Sequence, residues 1–360
     1  MTMSIRPRCG GMGIAFCFAL SATILALNAP AQAADTGKPY LIYLSNNFAG
    51  NDWRQQMLRS AELATKNGPL AGRVELRIEN TANTVEAQIA SLNNIIRSRP
   101  SAILIDAGSA TALDPVIKRA CDAGIVVVSF DQPVTAPCAY KVAADWPWIA
   151  RVTAEWLCKM LDGKGDILMD RGLAGAPNAT TFVNGYEAVL KHFPGIKVVG
   201  YFNGNYAIGP EQAGVASQLA VHPKIDGVLT QGYGTGAIKA EQEAGRPVVP
   251  VTAVSYNGTA VVCAQTPGAK CILGVNPAWI SAEGLRVAVE VLDHHPPATK
   301  NLPFHAPFLT TDPIPSDLSP GTKFEKIDLG KNAYPDLPPG LTLPISPDWM
   351  TITAKEAAGD

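Results

Sequence analysis

The sequence predicts an α/β protein made of two doubly wound α/β lobes. Short apolar segments alternate with helix-length amphipathic segments through most of the 360 residues. Several apolar segments, such as IVVV at 125–128, have no polar position, which is typical of parallel strands covered on both faces. The alternation indicates right-handed βαβ units. There are too many units for one small sheet, so we expect two.

The elements follow in order along the chain. Strands are predicted at residues 40–45, 74–78, 102–105, 125–130, 166–169, 196–202, 227–230, 248–254 and 271–275. Helices are predicted at residues 53–66, 85–98, 113–123, 148–161, 180–192, 210–221, 236–244 and 278–292. Residues 313–349 are rich in proline, which breaks both kinds of element. They predict an extended tail that wraps one lobe and ends in a short strand or loop near residues 349–352.

The first 33 residues have the pattern of a secretory signal peptide. Arg6 and Arg8 form a basic start, residues 14–27 are apolar, and small residues precede a cleavage site after Ala33. The apolar run is too short for a typical membrane span. We therefore expect an exported, soluble protein that begins at Ala34.

Charge and cysteine content narrow the class further. The net charge of −2 and the lack of a basic stripe argue against nucleic acid as a partner. Five cysteines follow the signal peptide, and an oxidising compartment permits disulfides. The hypothesis is that Cys121 pairs with Cys138 and Cys263 with Cys271, leaving Cys158 free. The alternative is that all are small buried residues.

Polar and aromatic side chains collect where the predicted strands end. In open α/β sheets, ligands bind outside the carboxyl ends of the strands. Amides and carboxylates offer paired hydrogen bonds to vicinal hydroxyls, and aromatic rings cover the C–H faces of a sugar. Positive charge is scarce, so a phosphate is not the expected ligand. The candidate ligand-binding residues are Asn47, Phe48, Asn51, Trp53, Asp106, Asp131, Asn178, Tyr206, Gln231, Tyr233, Tyr256, Asn257 and Asn276.

Several of these residues also have a purely structural interpretation. Asp52 is predicted to cap the first helix, with Asn51 as the competing cap. Trp53 could be a core residue of that helix, and Asp131 could cap or turn the chain before Pro133. Asn257 and the glycine after it could form a simple turn. The collective pattern favours the functional interpretation.

The sequence resembles the periplasmic sugar-binding proteins of ABC importers, of the type I or ribose-binding-protein-like class. The resemblance covers residues 38–311. It rests on the signal peptide, the strand order and three segments: SNNF at 45–48, GIVVVSFD at 124–131 and SYNGT at 255–259. The segment GNDWRQQM at 50–57 resembles a subgroup of these proteins whose ligands are sugars or polyols.

The resemblance implies two lobes joined by three crossings, near residues 142–145, 275–276 and 305–307. The N-terminal lobe would comprise residues 34–141 and 276–306, the C-terminal lobe residues 142–275 and 307–318, and the tail residues 319–360. Asp131 would accept hydrogen bonds from sugar hydroxyls, Asn47 and Phe48 would line the first lobe, and Phe48 or Trp53 would stack on the ring.

The chain departs from the family pattern at several positions. Asn257 stands where the family often has aspartate, and Gly232 where it often has asparagine, for which Gln231 or Tyr233 could compensate. Val275 replaces a glutamine, with Asn276 beside it. Asn178 or, alternatively, Arg171 stands where the family has an arginine. These changes predict a hydroxyl pattern different from that of ribose.

The resemblance implies a binding protein that closes about its hinge on a sugar or polyol and then docks on a membrane permease. We expect a monomer. We also expect no cofactor, metal or catalytic residue, because no hydrolase, metalloprotease or phosphate-loop motif is present. A second hypothesis is a sensory module that presents a small molecule to a chemoreceptor, sensor kinase or quorum-signal system. Paired carboxylates such as Asp106 and Asp131 leave an enzyme as the third.

Overall fold

The computed structural model describes residues 37–304, 308–311, 326–330 and 333–359. The predicted signal peptide and the third crossing lie outside the described residues. The strands are β1 (Tyr40–Asn46), β2 (Val74–Asn80), β3 (Ala102–Asp106), β4 (Val126–Phe130), β5 (Tyr140–Ala144), β6 (Lys164–Asp170), β7 (Gly195–Phe202), β8 (Gly227–Leu229), β9 (Val251–Val254), β10 (Cys271–Gly274), β11 (Asn301–Phe304), β12 (Phe308–Thr310) and β13 (Lys326–Asp328). The helices are α1 (Asp52–Ala64), α2 (Val85–Arg97), α3 (Asp114–Asp122), α4 (Trp146–Met160), α5 (Pro177–Leu190), α6 (Ile208–Val221), α7 (Thr235–Glu243), α8 (Asn257–Gln265), α9 (Ile280–Leu292) and α10 (Ala354–Ala358).

The strands form two sheets, one in each lobe. The N-lobe sheet has the order β11-β5-β4-β3-β1-β2, and its neighbouring strands are parallel. The C-lobe sheet has the order β13-β12-β10-β9-β8-β6-β7, and β12 runs antiparallel to β10. This arrangement confirms the predicted pair of doubly wound α/β lobes.

Helices cover both faces of each sheet. In the N-lobe, α1 and α9 pack on one face, and α2 and α3 pack on the other. In the C-lobe, α4 and α5 cover one face, and α6, α7 and α8 cover the other. Because both faces are buried, β3 is buried at every position. This two-sided burial explains why the apolar strand runs could be recognised in the sequence.

The nine predicted strands are all present, but four strands (β5, β11, β12 and β13) and two helices (α8 and α10) were not predicted. The sequence of β5, YKVAA, contains a lysine whose ammonium group donates to the backbone carbonyls of Ala136 and Ala139. This polar position hid the strand pattern. Asn257 and Gly258 form the first turn of α8 rather than a simple turn.

The N-cap of α1 is Asn51, not Asp52 as predicted. The Asn51 side chain accepts a hydrogen bond from the backbone N–H of Arg54 at 2.9 Å, and its backbone is extended, as an N-cap requires. Asp52 is the first helical residue, where its negative charge is favourable to the helix dipole. This cap fixes the orientation of the first turn of α1.

The structure confirms both proposed disulfides. Cys121 at the end of α3 is bonded to Cys138 before β5, and Cys263 in α8 is bonded to Cys271 at the start of β10. Cys158 is buried in α4 and free. Among the described helices, none combines the length and apolar character needed to cross a bilayer.

The described part of the tail differs from the prediction in two ways. Residues 333–359 contact both lobes rather than one, through the C-lobe turn at Asn257 and the N-lobe helix α1. The tail then ends in the short helix α10, whose capping box joins Thr353 and Glu356. The proline-rich composition gave no sign of either feature.

Replacing Gly185 with alanine should destabilise the C-lobe. A Cβ at Gly185 in α5 would lie 2.6 Å from the Cβ of Ala150 in α4, so the two helices must separate. We expect Gly185→Ala to lower the free energy of unfolding by about 1–3 kcal/mol in urea titrations, as overpacking does. Alanine also gains up to about 1 kcal/mol in helix propensity over glycine, and we expect the overpacking cost to exceed this gain.

Gly209→Ala is the matched control, since the new methyl group on α6 would meet no atom within 4 Å. It should leave stability unchanged or raise it. Equal effects of the two substitutions would contradict the close approach of α4 and α5.

Candidate functional site

A cavity lies between the two lobes, at the carboxyl ends of their strands. Together with its opening to solvent, it holds about 440 Å³ of empty space. The N-lobe and the second crossing supply Asn51, Trp53, Arg54, Asp131, Gln132 and Asn276. The C-lobe supplies Trp146, Asn178, Phe182, Tyr206, Gln231, Gly232, Val254 and Tyr256.

Arg54 is the central charge of the N-lobe half of the site. Only 5% of its surface is exposed, and its guanidinium donates to the carboxylate of Asp106 and, at 2.9 Å, to the side-chain carbonyl of Asn46. A second carboxylate, that of Asp131, lies 3.9 Å from the guanidinium. Burial lowers the pKa of Arg54, and the charge of Asp131 opposes this shift. One buried cation therefore serves two buried carboxylates.

Asp131 faces the cavity from the end of β4. Its backbone has a φ of 55°, in the left-handed region that non-glycine residues rarely adopt. The backbone carbonyl accepts from the Trp146 indole at 3.0 Å and from the Asn178 amide at 3.3 Å. The carboxylate accepts from the Asn276 amide at 3.1 Å. Burial raises the pKa of Asp131, and Arg54 and this hydrogen bond oppose the rise.

Hydrogen bonds across the cavity hold the lobes in a closed arrangement. The Asn51 amide of α1 donates to the backbone carbonyl of Tyr206 in the C-lobe at 3.3 Å. The Gln132 side chain of the N-lobe accepts from the backbone N–H of Asn178 at 3.3 Å. The Trp53 indole donates to the carbonyl of Asn276, in the second crossing, at 3.0 Å. Closure thus brings together residues from five separate loops.

The carboxylate of Asp170 joins three loops of the C-lobe half of the site. Its fully buried carboxylate accepts backbone hydrogen bonds from Gly172 at 2.7 Å, Gly204 at 2.8 Å and Gln231 at 3.3 Å. These three groups follow β6, β7 and β8. Burial raises the pKa of Asp170, and the three N–H groups oppose that rise. One carboxylate thereby fixes the spacing of the loops that carry Tyr206 and Gln231.

Glu211 supports the loop between β8 and α7. Its carboxylate accepts from the Thr230 hydroxyl and the Gly234 N–H at 3.1 Å, and from the Ala237 N–H at 3.2 Å. A Cβ on Gly232, which lines the cavity, would lie 3.1 Å from this carboxylate. Burial, followed by the charge of Asp170, raises the pKa of Glu211 to about 7.

The cavity offers hydrogen-bonding atoms that the protein itself does not use. Within the described residues, four of its lining side chains have a buried oxygen without a hydrogen-bond partner: the carbonyl oxygens of Asn178, Gln231 and Asn276 and the hydroxyl of Tyr206. Buried polar atoms in proteins are nearly always satisfied. These oxygens indicate a ligand that supplies several donors, such as a polyhydroxy compound.

Aromatic rings complete the lining. Trp146 and Phe182 lie with their ring centroids 5.5 Å apart, and Tyr256 stacks on Tyr233 with centroids 3.7 Å apart. The lining rings are those of Trp53, Trp146, Phe182 and Tyr256, and they provide apolar faces beside the polar groups. The described residues contain no group of three or more possible metal ligands. The lining therefore combines hydrogen-bonding groups with the apolar faces of aromatic rings.

The structure brings eight of the thirteen candidate residues to the cavity: Asn51, Trp53, Asp131, Asn178, Tyr206, Gln231, Tyr256 and Asn276. Their role in ligand binding stays a prediction. The other five, Asn47, Phe48, Asp106, Tyr233 and Asn257, are not among the lining residues.

Each of these five residues instead contacts another part of the protein. Asp106 pairs with Arg54, and Tyr233 lies behind Tyr256. Asn47 packs against Gly108, and the Phe48 ring folds back over Gly50. The amide of Asn257 donates to backbone carbonyls of the tail at Tyr334, Leu337 and Pro338.

Sequence reasoning did not single out Arg54, Gln132, Trp146, Phe182, Gly232 or Val254 as candidate ligand contacts. Arg54 had a usable signal, since Asp106 and Asp131 both end buried strands and two adjacent buried carboxylates require a cation. Gln132 directly follows Asp131, so its position at the end of β4 could have identified it as well. Trp146 and Phe182 fit the apolar face of a helix, so nothing in their spacing distinguishes a cavity wall from a core.

The comparison with known families decides the identity of the fold. Residues 42–296 match the family described as periplasmic binding protein domain. The chain is a periplasmic binding protein. The match covers most of the described residues of both lobes.

Two curated binding proteins are similar to this periplasmic binding protein. A xylitol-binding protein of Mycolicibacterium smegmatis is 27% identical over 191 residues, which are 51% of this chain and 54% of that protein. A D-ribose/D-allose-binding protein of Pseudomonas aeruginosa is 28% identical over 169 residues, 44% of this chain and 53% of that protein. The matches span about half the length of these relatives.

Solved structures share the fold of this binding protein. An ABC transporter solute-binding protein of Thermobispora bispora has a TM-score of 0.68 and 28% identity, over 76% of this chain and 85% of that chain. A galactofuranose-binding protein has a TM-score of 0.68 and 19% identity, over 75% of this chain and 94% of that chain. The second likeness shows the fold alone.

Glu211→Gln should change how the stability of this binding protein depends on pH. The pKa of Glu211 is about 7 in the folded chain, above its ordinary value of 4.5. Between these values the folded chain binds more protons than the unfolded chain, so this group's contribution to stability falls as pH rises. We expect the stability of the wild type relative to Glu211→Gln to fall by up to about 3 kcal/mol between about pH 5 and pH 8.

Urea denaturation at both pH values measures this difference. Glu243→Gln on the exposed side of α7 is the matched control. A difference between wild type and Glu211→Gln that stays constant with pH would show that the Glu211 carboxylate does not titrate in this range.

Proposed function

We propose that this protein captures a sugar or sugar-like polyol between its two lobes in the periplasm and delivers it to an ABC-type importer. The observation that carries the proposal is the set of four unpartnered buried oxygens in the closed inter-lobe cavity. A ligand with several hydroxyl groups would satisfy them. The signal peptide predicted at residues 1–33 supports export, with cleavage after Ala33.

The charges of the site support a neutral ligand. Arg54 faces two carboxylates, those of Asp106 and Asp131, so its positive charge is already compensated. A phosphorylated or acidic sugar would place its anion against Asp131 in a region where burial weakens solvent screening. Hydroxyl groups instead can donate to the Asp131 carboxylate in charge-assisted hydrogen bonds, which are stronger than neutral ones.

The relatives support the same class of ligand. The two relatives described above are named as binding proteins for xylitol and for D-ribose and D-allose. Because this chain shares only about a quarter of its residues with them in the matched regions, the class carries over to it and the particular sugar does not. We further propose that the protein acts as a monomer without enzymatic activity, since delivery to a permease needs only binding, closure and release.

A thermal-shift screen with xylitol, D-ribose, D-allose, L-arabinose, D-galactose and D-fructose tests the proposal. A ligand that binds only the folded chain stabilises it by about 2.7 kcal/mol at one hundred times its dissociation constant. We expect at least one compound of this panel to raise the melting temperature. No shift with any neutral sugar or polyol, on a protein that melts cooperatively, would refute the proposed ligand class.

Asp131→Ala should weaken binding of the compound found in that screen. Its carboxylate is the acceptor of the buried charge network that faces the cavity, so truncation removes charge-assisted hydrogen bonds to the ligand. We expect calorimetry to show a loss of at least about tenfold in affinity, equal to about 1.4 kcal/mol. Asp122→Ala, on the exposed end of α3 where it pairs with Lys118, is the control. Unchanged affinity of Asp131→Ala would place the ligand elsewhere.

A further inference from the structure

The tail crosses from one lobe to the other beside the ligand cavity. We use the name strap for residues 334–343. On the C-lobe side, the Asn257 side chain both donates to three strap carbonyls and accepts from the backbone N–H of Tyr334 at 3.0 Å. The strap carbonyls of Pro339 and Leu341 accept from the first two N–H groups of α8, at 2.8 and 2.7 Å. The strap therefore supplies the cap that the N-terminus of α8 otherwise lacks.

Thr342 joins the strap to the N-lobe. Its backbone N–H donates to the side-chain carbonyl of Gln56 at 2.7 Å, and its carbonyl accepts from the Gln56 amide at 3.4 Å. Its hydroxyl accepts from the backbone N–H of Ala278 at 3.1 Å, next to the second crossing. Thr342 also forms a β-bridge with Tyr256 of the C-lobe. Thr342 and Gln56 are fully buried, so this junction excludes water.

Two glycines show how closely the strap fits between the lobes. A Cβ on Gly258 at the start of α8 would lie 2.9 Å from the carbonyl oxygen of Pro339. A Cβ on Gly340 would overlap the side chain of Asp52, in the first turn of α1. The strap thus fills the space between the N-termini of α1 and α8, one helix from each lobe.

The strap is bonded to both lobes, and the tail that follows it packs on the N-lobe. Leu341, Met350 and Ile352 are buried in the apolar cluster that contains α1 and α9. The Trp349 indole adds a hydrogen bond to Glu283 of α9 at 3.1 Å. On the C-lobe side, the strap contacts the Asn257 side chain and the first turn of α8, and Leu343 is buried in the apolar cluster. The Leu343 N–H donates to the Ser255 carbonyl at 2.9 Å, and the Leu343 carbonyl accepts from the Ser255 hydroxyl at 2.8 Å. Opening of the cleft would therefore break the hydrogen bonds of the strap to one of the two lobes.

We propose that the strap is an added link between the lobes that limits opening of the ligand cleft, with Asn257 and Thr342 as positioning residues rather than ligand contacts. The strap lies against both walls of the cavity. Asn257 follows the cavity residue Tyr256, and Gln56 follows the cavity residue Arg54 by two positions on α1. Any rotation that parts α1 from α8 breaks buried hydrogen bonds of the strap, and a buried group left unpaired costs free energy.

The strap should act on both directions of ligand exchange. Opening precedes entry of a ligand into a closed cleft and also precedes its release. A weaker strap should therefore raise the association rate and the dissociation rate together. A residue that only contacts the ligand changes mainly the dissociation rate. This difference separates the two possible roles of Asn257.

Asn257→Ala tests the strap by two measurements. Small-angle X-ray scattering without ligand should show a larger radius of gyration than for the wild type, since the C-lobe is released from the strap. In stopped-flow binding of the xylitol, D-ribose or D-allose that raises the melting temperature, both rate constants should rise, each by at least about tenfold. A higher dissociation rate with an unchanged association rate would make Asn257 a ligand contact and overturn the proposal.

Two further variants control this experiment. Trp349→Phe removes a tail hydrogen bond within the N-lobe and should change neither the scattering nor the rates. Gly340→Ala pushes the strap away from Asp52 without removing any side chain of either lobe. It should raise the radius of gyration and both rate constants, as expected for Asn257→Ala, and it therefore tests the strap if Asn257→Ala does not fold.

The kinetic measurement rests on the proposed function, whereas the scattering measurement does not. If no sugar binds, the ligand-free radius of gyration still decides whether the strap restrains the lobes. An unchanged radius in a folded Asn257→Ala and in Gly340→Ala would overturn the strap.

Discussion

The arrangement of the N-lobe half of the cavity depends on the buried charge of Arg54. Its guanidinium fixes Asp106 at the end of β3, lies beside Asp131 at the end of β4, and sits on the first turn of α1. Removing one partner of a buried ion pair typically costs about 3–5 kcal/mol, because the remaining charge has no compensation. The position of Asp131, and through its hydrogen bond the position of Asn276 at the second crossing, follows from this one cation.

The two lobes stabilise their buried carboxylates by different means. The N-lobe pairs its buried carboxylates with an arginine, whereas Asp170 and Glu211 of the C-lobe are surrounded by backbone N–H and hydroxyl groups. Both arrangements hold polar loops rigid at the edge of the cavity. A neutral ligand with several hydroxyl groups fits such a site, because preorganised polar groups keep the entropy cost of binding low.

The sequence predicted the fold more fully than the site. Two-sided burial of parallel strands leaves long apolar runs, so the nine predicted strands were found. Both disulfides were predicted from the cysteines that follow the signal peptide. Arg54 was missed because one arginine among polar residues is typical of a solvent-exposed helix face, although two buried carboxylates at strand ends implied a cation. The tail contacts of Asn257 could not be predicted, because they join residues that lie far apart in the sequence and leave no periodic pattern.

The most direct test of this account is a crystal structure of the protein grown with the compound that gives the largest thermal shift. The account predicts ligand density in the inter-lobe cavity, with hydroxyl groups within hydrogen-bond distance of the Asp131 carboxylate and of the side-chain carbonyl of Asn276. Density at any other place, or an inter-lobe cavity that holds only water at saturating ligand, would contradict it.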